Sequence, residues 1–227
     1  MNTRPYTICH MVASIDGRID CKMVDKISGD EYYTTLEQLD CPSSLEGSVT
    51  MAHYTALPEP FVPTNSTPVG HSQTYKATEA EGYTIATDTR GRLRWPADLA
   101  KEHPFLVLTS EQAPQEYLQT LQQQGISYIA VGTEAIDLQK AMAVLHDEFG
   151  VERLAILGGG HINGGFLEKG LIDEVSLLLA PGIDGRRGMT ALFDGICDAN
   201  RLPTHLHLQS LERLSGDVLW LRYQVNR

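Results

Sequence analysis

Positive charge is scarce in this chain. It has 18 Lys and Arg against 29 Asp and Glu over 227 residues, a net charge of −11. The cations are scattered, and an anionic surface repels a phosphate backbone, so nucleic acid is not an expected partner. Cysteine is thin as well. Cys9, Cys21, Cys41 and Cys197 form no C-x-x-C pair, so neither a disulfide framework nor a cysteine zinc site is expected. The H-x-E with P-C-x-x-C signature of zinc deaminases and the G-x-S-x-G elbow of hydrolases are both missing. His205 and His207 share a strand face but have no third ligand nearby in sequence, so no metal is expected. No apolar run reaches the ~18 residues of a membrane span, and the N-terminal stretch lacks the apolar block of a secretory signal. These absences lead to an expectation of a cytoplasmic protein with no membrane partner.

What is present is enough for a core. Hydrophobic residues make up 42% of the chain, and this length suits one α/β domain over residues 1–227. Tyr6 to Ala13 reads as a buried strand, followed by the loop Ser14-Ile15-Asp16-Gly17-Arg18. The spacing suggests a short helix within Thr35 to Leu45, broken near Pro42. Four prolines between Leu57 and Gly70 exclude regular structure there and predict a long irregular loop over about 55–82. Strands are predicted at Tyr83–Thr87, Phe105–Thr109, Ser127–Val131, Leu154–Leu157 and Val175–Ala180. Helices are predicted at Pro114–Gln124, Leu138–Phe149 and Ile162–Lys169, each closed by glycine at 125, 150 or 170. Strands that are apolar on both faces and alternate with helices indicate a mainly parallel sheet covered on both sides, a three-layer α/β/α fold. His205–Leu211 and Val218–Val225 flank Gly216-Asp217 and predict a C-terminal antiparallel hairpin.

Gly158-Gly159-Gly160 follows one of these strands and precedes a helix. Glycine there lets a ligand approach the backbone without a Cβ in the way, and the helix aims its positive end at the same point. A pyrophosphate suits this arrangement; a tight strand-to-helix turn is the plainer use of it. Ser14 and Asp16 sit at a strand's C-terminal end, where open α/β sheets hold ligands, although such residues also make turns. Gly47-x-x-Thr50 reads either as a helix cap or as a presented hydroxyl. Arg90, Arg92 and Arg94 read either as a solvated basic loop or as a phosphate clasp.

Several segments taken in order resemble the riboflavin-biosynthesis reductases. Met11-Val-Ala-Ser-Ile-Asp-Gly17 resembles their S-[IL]-D-G opening, and Gly47-x-x-Thr50 their G-R-x-T. Asp88-Thr-Arg-Gly-Arg92-Leu93 is similar to D-x-x-G-R-L. Ile156 to Asn163 resembles E-G-G-G-x-L-N, Gly170 to Glu174 resembles G-L-V-D-E, and Ala180-Pro181 with Gly185 resembles A-P-x-L-x-G. The resemblance implies a dihydrofolate-reductase-like fold, homodimers, and NADPH as donor of a hydride to C1′ of a ribosylamino-pyrimidine. By position, it implies that Gly158, Gly159, Gly160 and His161 hold the pyrophosphate and that Thr50 meets the phosphate region. Asp88, Thr89 and Arg90 lie by the adenosine, and Ser14 and Asp16 lie beside the nicotinamide and substrate. The chain departs from the pattern at Leu157, which replaces the glutamate, and at Ser48, which replaces the arginine of G-R-x-T. Tyr54 replaces an aspartate, and Met51 to Pro58 lacks the arginine expected to grip a substrate phosphate. Arg18, Lys22, Arg186 and Arg187 are the cations left to substitute for it. The glycine run also suits a paralogous reductase of another small carbonyl or imine, or a non-catalytic nucleotide-binding protein; the intact Ser14-Ile-Asp16-Gly17 favours a working active site.

Overall fold

Short apolar runs alternating with glycine-stopped amphipathic runs fold into alternating strands and helices in the computed structural model, which describes residues 3–226. In chain order these are β1 Tyr6–Ala13, α1 Cys21–Val24, α2 Glu31–Glu37, β2 Ser43–Glu46, α3 Ser48–Tyr54, β3 Gln73–Tyr75, β4 Thr84–Thr87, α4 Leu99–Glu102, β5 Phe105–Thr109, α5 Gln115–Gln123, β6 Ser127–Ala130, α6 Leu138–Asp147, β7 Arg153–Ile156, α7 Gly160–Glu168, β8 Glu174–Leu179, β9 Leu206–Arg213 and β10 Leu219–Val225. The chain gathers into two compact units. The first is Pro42–Leu154 with residues 3–5; the second is Tyr6–Cys41 with residues 155–226. β7 carries the backbone from the first unit into the second.

In the first unit the strands lie in the order β3-β6-β5-β4-β2. β2, β4, β5 and β6 pair in parallel, and β3 runs antiparallel along β6. All five residues of β5 are buried, as a central strand covered on both faces requires. Tyr117, Leu118 and Leu121 of α5 pack into a cluster with Val107 and Tyr128. Asp137 caps α6 by accepting from the Lys140 amide at 3.1 Å, which satisfies a donor that the helix start leaves open. The helix expected within Thr35–Leu45 is corrected here: α2 ends at Glu37, and Ser43–Glu46 is a strand beside β4. Pro42 stops helical continuation, and the alternating burial of Ser43 and Leu45 is the two-residue period of a strand. The proline-rich loop is irregular as expected, except for the three residues of β3. Its backbone is tied down by Leu57 N to Arg94 O and Phe61 N to Arg92 O, both at 2.8 Å.

In the second unit β1 pairs in parallel with β8, and β10 and β9 continue from β8 in antiparallel pairing. The C-terminal hairpin is therefore present as expected. Residues paired directly across strands share a face, so this sheet has two distinct sides. One side carries Ile8, Leu178 and Trp220, packed with Leu39. A buried polar chain runs through it. Trp220 Nε1 donates to Ser176 Oγ at 2.8 Å, Ser176 Oγ lies 2.9 Å from His10 Nδ1, and His10 Nε2 lies 3.0 Å from the Tyr32 carbonyl. Tyr32 stacks on the His10 ring at 4.7 Å. The other side carries Met11, Leu177, Leu221 and Leu211.

Burial holds the His10 imidazole neutral, pushing its pKa down to about 4. The unfolded chain takes up that proton near the ordinary histidine pKa while the folded chain refuses it. Stability is therefore full above about pH 6.5 and falls as the pH drops towards 4, by about 3 kcal/mol in total. Urea unfolding across this range is expected to show the slope in the native protein and to lose it in His10→Gln. An equal slope in both proteins contradicts the assignment.

Candidate active site

The junction between β7 and α7 is made by the glycine run. Gly158 has φ +90, which a side-chain-bearing residue adopts only with strain. A Cβ there would stand 2.8 Å from both Sδ and Cε of Met11 on β1. Gly159 occupies the cap position of α7 in an extended conformation, with no side-chain cap and no acidic residue in the first turn. The helix start thus has neither a capping side chain nor a first-turn acid to complement its amide donors and partial positive charge. A Cβ on Gly159 would meet nothing within 4 Å. Gly160 differs: its Cβ would lie 2.2 Å from the Ala191 carbonyl oxygen, and that of Gly164 would lie 1.9 Å from the Asp194 carbonyl oxygen. Spaced four residues apart, the two glycines share a helix face, and segment 190–194 lies against it. The Asp194 amide donates to Gly160 O at 3.0 Å, and Asn163 Nδ2 donates to Leu192 O at 2.8 Å. Asn163 is fully buried, and its Oδ1 has no partner. His161 is exposed, with its ring beside Gly195.

The same segment fastens the loop after β1. Leu192 N donates to Gly17 O at 3.0 Å, Ile19 N to Thr190 O at 3.3 Å, and Arg18 Nη1 to the Met189 carbonyl. Ser14 is buried, and its hydroxyl donates to Asp16 Oδ1 at 2.7 Å. The amides of Asp184 and Gly185 donate to the Asp16 carboxylate at 3.0 and 2.9 Å. The Ser14 hydroxyl first, then the two amides, hold the Asp16 carboxyl well below the usual carboxylate range. It is therefore anionic at neutral pH and has both oxygens committed to fixing the loop. Asp184 takes Arg186 in a two-pronged ion pair, and Arg186 reaches Asp20 at 3.2 Å.

Within the second unit, then, Asp16, Gly160 and His161 meet residues 184–195, and Ser14 joins them through its bond to Asp16. The other expected residues lie in the first unit. Thr50 is half-buried in the first turn of α3. Asp88 follows β4 and is buried: its Oδ2 accepts from the Leu93 amide at 2.7 Å and from the Tyr117 hydroxyl at 2.9 Å. Trp95 Nε1 donates to that hydroxyl at 2.8 Å. Burial, then the charge of Asp88, raise the Tyr117 pKa, so the hydroxyl remains a donor. The Asp88 carboxylate thus shapes the 88–93 turn from inside. Thr89 is held through its carbonyl by the Ser110 hydroxyl at 2.7 Å, and Arg90 is exposed.

Segment 189–195 and Asn163 carry much of this geometry, and no sequence motif singled them out. The available signal was the Gly160/Gly164 pair, a bare helix face that calls for close-packed backbone. Gly164→Ala is expected to cost roughly 1–3 kcal/mol, lowering Tm by about 3–10 °C. Gly159→Ala is expected to stay within about 1 kcal/mol of the native protein. Calorimetry of both variants checks the contrast; equal melting temperatures contradict the packing described.

Comparison with known proteins adds family relationships to this geometry. The profile of the RibD C-terminal domain matches residues 5–220. The chain is similar to a 2,5-diamino-6-ribosylamino-4(3H)-pyrimidinone 5′-phosphate reductase from Methanothermobacter thermautotrophicus, 29% identical over 88% of this chain and 90% of that protein. It is also similar to the reductase of the same description from Aquifex aeolicus, 33% identical over 48% of each chain, so that match spans about half of either protein. A pyrimidine reductase-like protein from Corynebacterium diphtheriae superposes with a TM-score of 0.73 at 20% identity, covering 98% of this chain and 92% of that one. That last likeness shows the fold.

Proposed function

This chain belongs to the RibD C-terminal domain family, and from that membership and the glycine junction we propose that it is an NADPH-dependent reductase of a ribosylamino-pyrimidine 5′-phosphate in riboflavin biosynthesis. The observation that carries the reading is Gly159. It leaves open space at the uncapped start of α7, where a backbone anion site forms without any side chain. The residues of this junction fit the cofactor: Gly158, Gly159, Gly160 and His161 would hold its pyrophosphate, with no Cβ at Gly159 to block it. When bound, NADPH supplies a hydride that ends on C1′ of the ribosylamino group, and the ribose opens to a ribityl chain.

The protein's own part is largely positioning, which together with excluded solvent supplies much of an enzyme's rate. Asp16 holds residues 184 and 185, and through them the loop beside Ser14. Its low pKa makes it an orienting anion and a poor proton donor. Arg186 is neutralised by Asp184 and Asp20, so recognition of the substrate phosphate falls to Arg18, Lys22 or Arg187.

Two outcomes are expected. Gly159→Val fills the proposed pyrophosphate position and is expected to abolish measurable NADPH binding by titration calorimetry while the protein still folds cooperatively; unchanged affinity removes the site assignment. Asp16→Asn loses a charged acceptor, and loss of a group that orients reactants near the reaction centre costs on the order of 10²-fold in turnover. NADPH oxidation with the 5′-phosphorylated substrate is expected to show that fall in kcat with NADPH affinity nearly intact. A fall of less than about threefold, well short of that range, reduces Asp16 to a turn residue.

A further inference from the structure

Aspartate followed by glycine recurs at Asp16-Gly17, Asp184-Gly185 and Asp194-Gly195. Glycine has no Cβ to shield its own amide nitrogen, so at such a step that nitrogen can reach the preceding side-chain carboxyl carbon. Attack needs the carboxyl neutral, unheld by other partners, and beside the nitrogen. The three steps differ in these respects. The Asp16 carboxylate is gripped from outside its own step, by the Ser14 hydroxyl at 2.7 Å and the amides of Gly185 and Asp184 at 2.9 and 3.0 Å. The Asp184 carboxylate is held by both prongs of Arg186. These partners lower both pKa values, which leaves less of the neutral form at a given pH. Asp194 is exposed, and its carboxylate accepts from the amide of Gly195 itself at 2.8 Å. Among the described residues no cation or hydroxyl competes for it. The nucleophile therefore already lies against the carboxyl group it would attack. Asn163-Gly164 is the corresponding asparagine step, but it lies inside α7, with the Asn163 amide committed to Leu192 O.

We propose that Asp194 is a site of spontaneous isomerisation to isoaspartate, through a succinimide closed with Gly195. In the first step a bond forms between the Gly195 nitrogen and Asp194 Cγ. The bond from Cγ to its hydroxyl breaks, and the hydroxyl leaves as water with the amide proton. In the second step the hydroxyl of a water molecule adds to the main-chain carbonyl carbon of Asp194, and the bond from that carbon to the Gly195 nitrogen breaks. The nitrogen takes the water's other proton, and the new acid ionises into solvent. No oxidant or cofactor takes part. The chain then runs through Cβ and Cγ, and the former main-chain carbonyl is a free α-carboxylate. That carbonyl oxygen is the one packed 1.9 Å from where a Gly164 Cβ would stand. A charge desolvated against the bare face of α7 is unfavourable, and the chain is one atom longer there, so segment 190–194 loses its seat. The bonds from Asp194 N to Gly160 O and from Asn163 Nδ2 to Leu192 O go with it. The proposal goes beyond the reductase reading and does not rest on it, because its readout needs neither cofactor nor substrate.

Prolonged warm incubation of the purified full chain at neutral pH, followed by peptide mapping with mass spectrometry, tests it. Isoaspartate is expected to accumulate at 194 at least about tenfold faster than at 16 or 184, where the neutral carboxyl is scarcer. The succinimide-bearing peptide is expected to be lighter by one water. Methylation by an L-isoaspartyl methyltransferase with labelled S-adenosylmethionine is expected to rise in step. In Asp194→Ser, which has no carboxyl to close the ring, it is expected to stay at the level of fresh protein. Isomerisation spread evenly over the three steps, or reaching 16 or 184 first, overturns the proposal, as does a chain that ages with no isoaspartate at 194. Should Asp194→Ser fail to fold, the map of the native chain decides alone. Hydrogen exchange at the Leu192 and Asp194 amides is expected to be faster in the isomerised fraction, and unchanged exchange overturns the release of segment 190–194.

Discussion

The contact between the 190–194 backbone and the bare face of α7 organises the second unit. With carbonyl oxygens 2.2 and 1.9 Å from where the Cβ atoms of Gly160 and Gly164 would be, no side chain fits at either position. The helix is therefore fixed against that segment by shape, and the hydrogen bonds from Asp194 N and Asn163 Nδ2 set the register. The segment in turn anchors Gly17, Arg18 and Ile19, so the loop carrying Ser14 and Asp16 takes its position from the same contact. Asp16 closes the arrangement by gripping the amides of residues 184 and 185.

This division of labour separates glycines that sequence alone treats as one run. Gly158 supplies a turn that needs positive φ, and Gly160 supplies close packing. Gly159 does neither, and its Cβ position is open. A residue whose side chain would meet no neighbour, at a helix start with no capping side chain, is better explained by something that must approach the backbone. On the proposed reading, cofactor binding would depend on main-chain donors more than on charged side chains. That suits a chain whose Ser48 stands where the family pattern has arginine and whose Arg186 is spent on two carboxylates.

Much of the fold was legible because its strands are continuous apolar runs and its helices end at glycine. β1, β5 and the hairpin of β9 and β10 lie close to where the pattern put them. The failures were of scale and distance. Four residues such as Ser43–Glu46 are too few for a period to declare itself, and three such as Gln73–Tyr75 vanish into a loop. For the candidate site, the motifs singled out Ser14, Asp16, Asp88 and the glycine run but not the partners each one meets. The Asp88 carboxylate meets Tyr117, 29 residues away, and Asp16 meets backbone 168 and 169 residues away. Main-chain partners at that separation leave no signature in residue identity, which is why segment 189–195 went unmarked.

The central claim is that the β7–α7 junction cradles the cofactor through its backbone. A crystal structure of the NADPH complex tests it most directly. The account expects pyrophosphate oxygens within hydrogen-bond distance, about 3 Å, of the amides at Gly159 to His161. A pyrophosphate bound elsewhere, with those amides facing solvent, contradicts it.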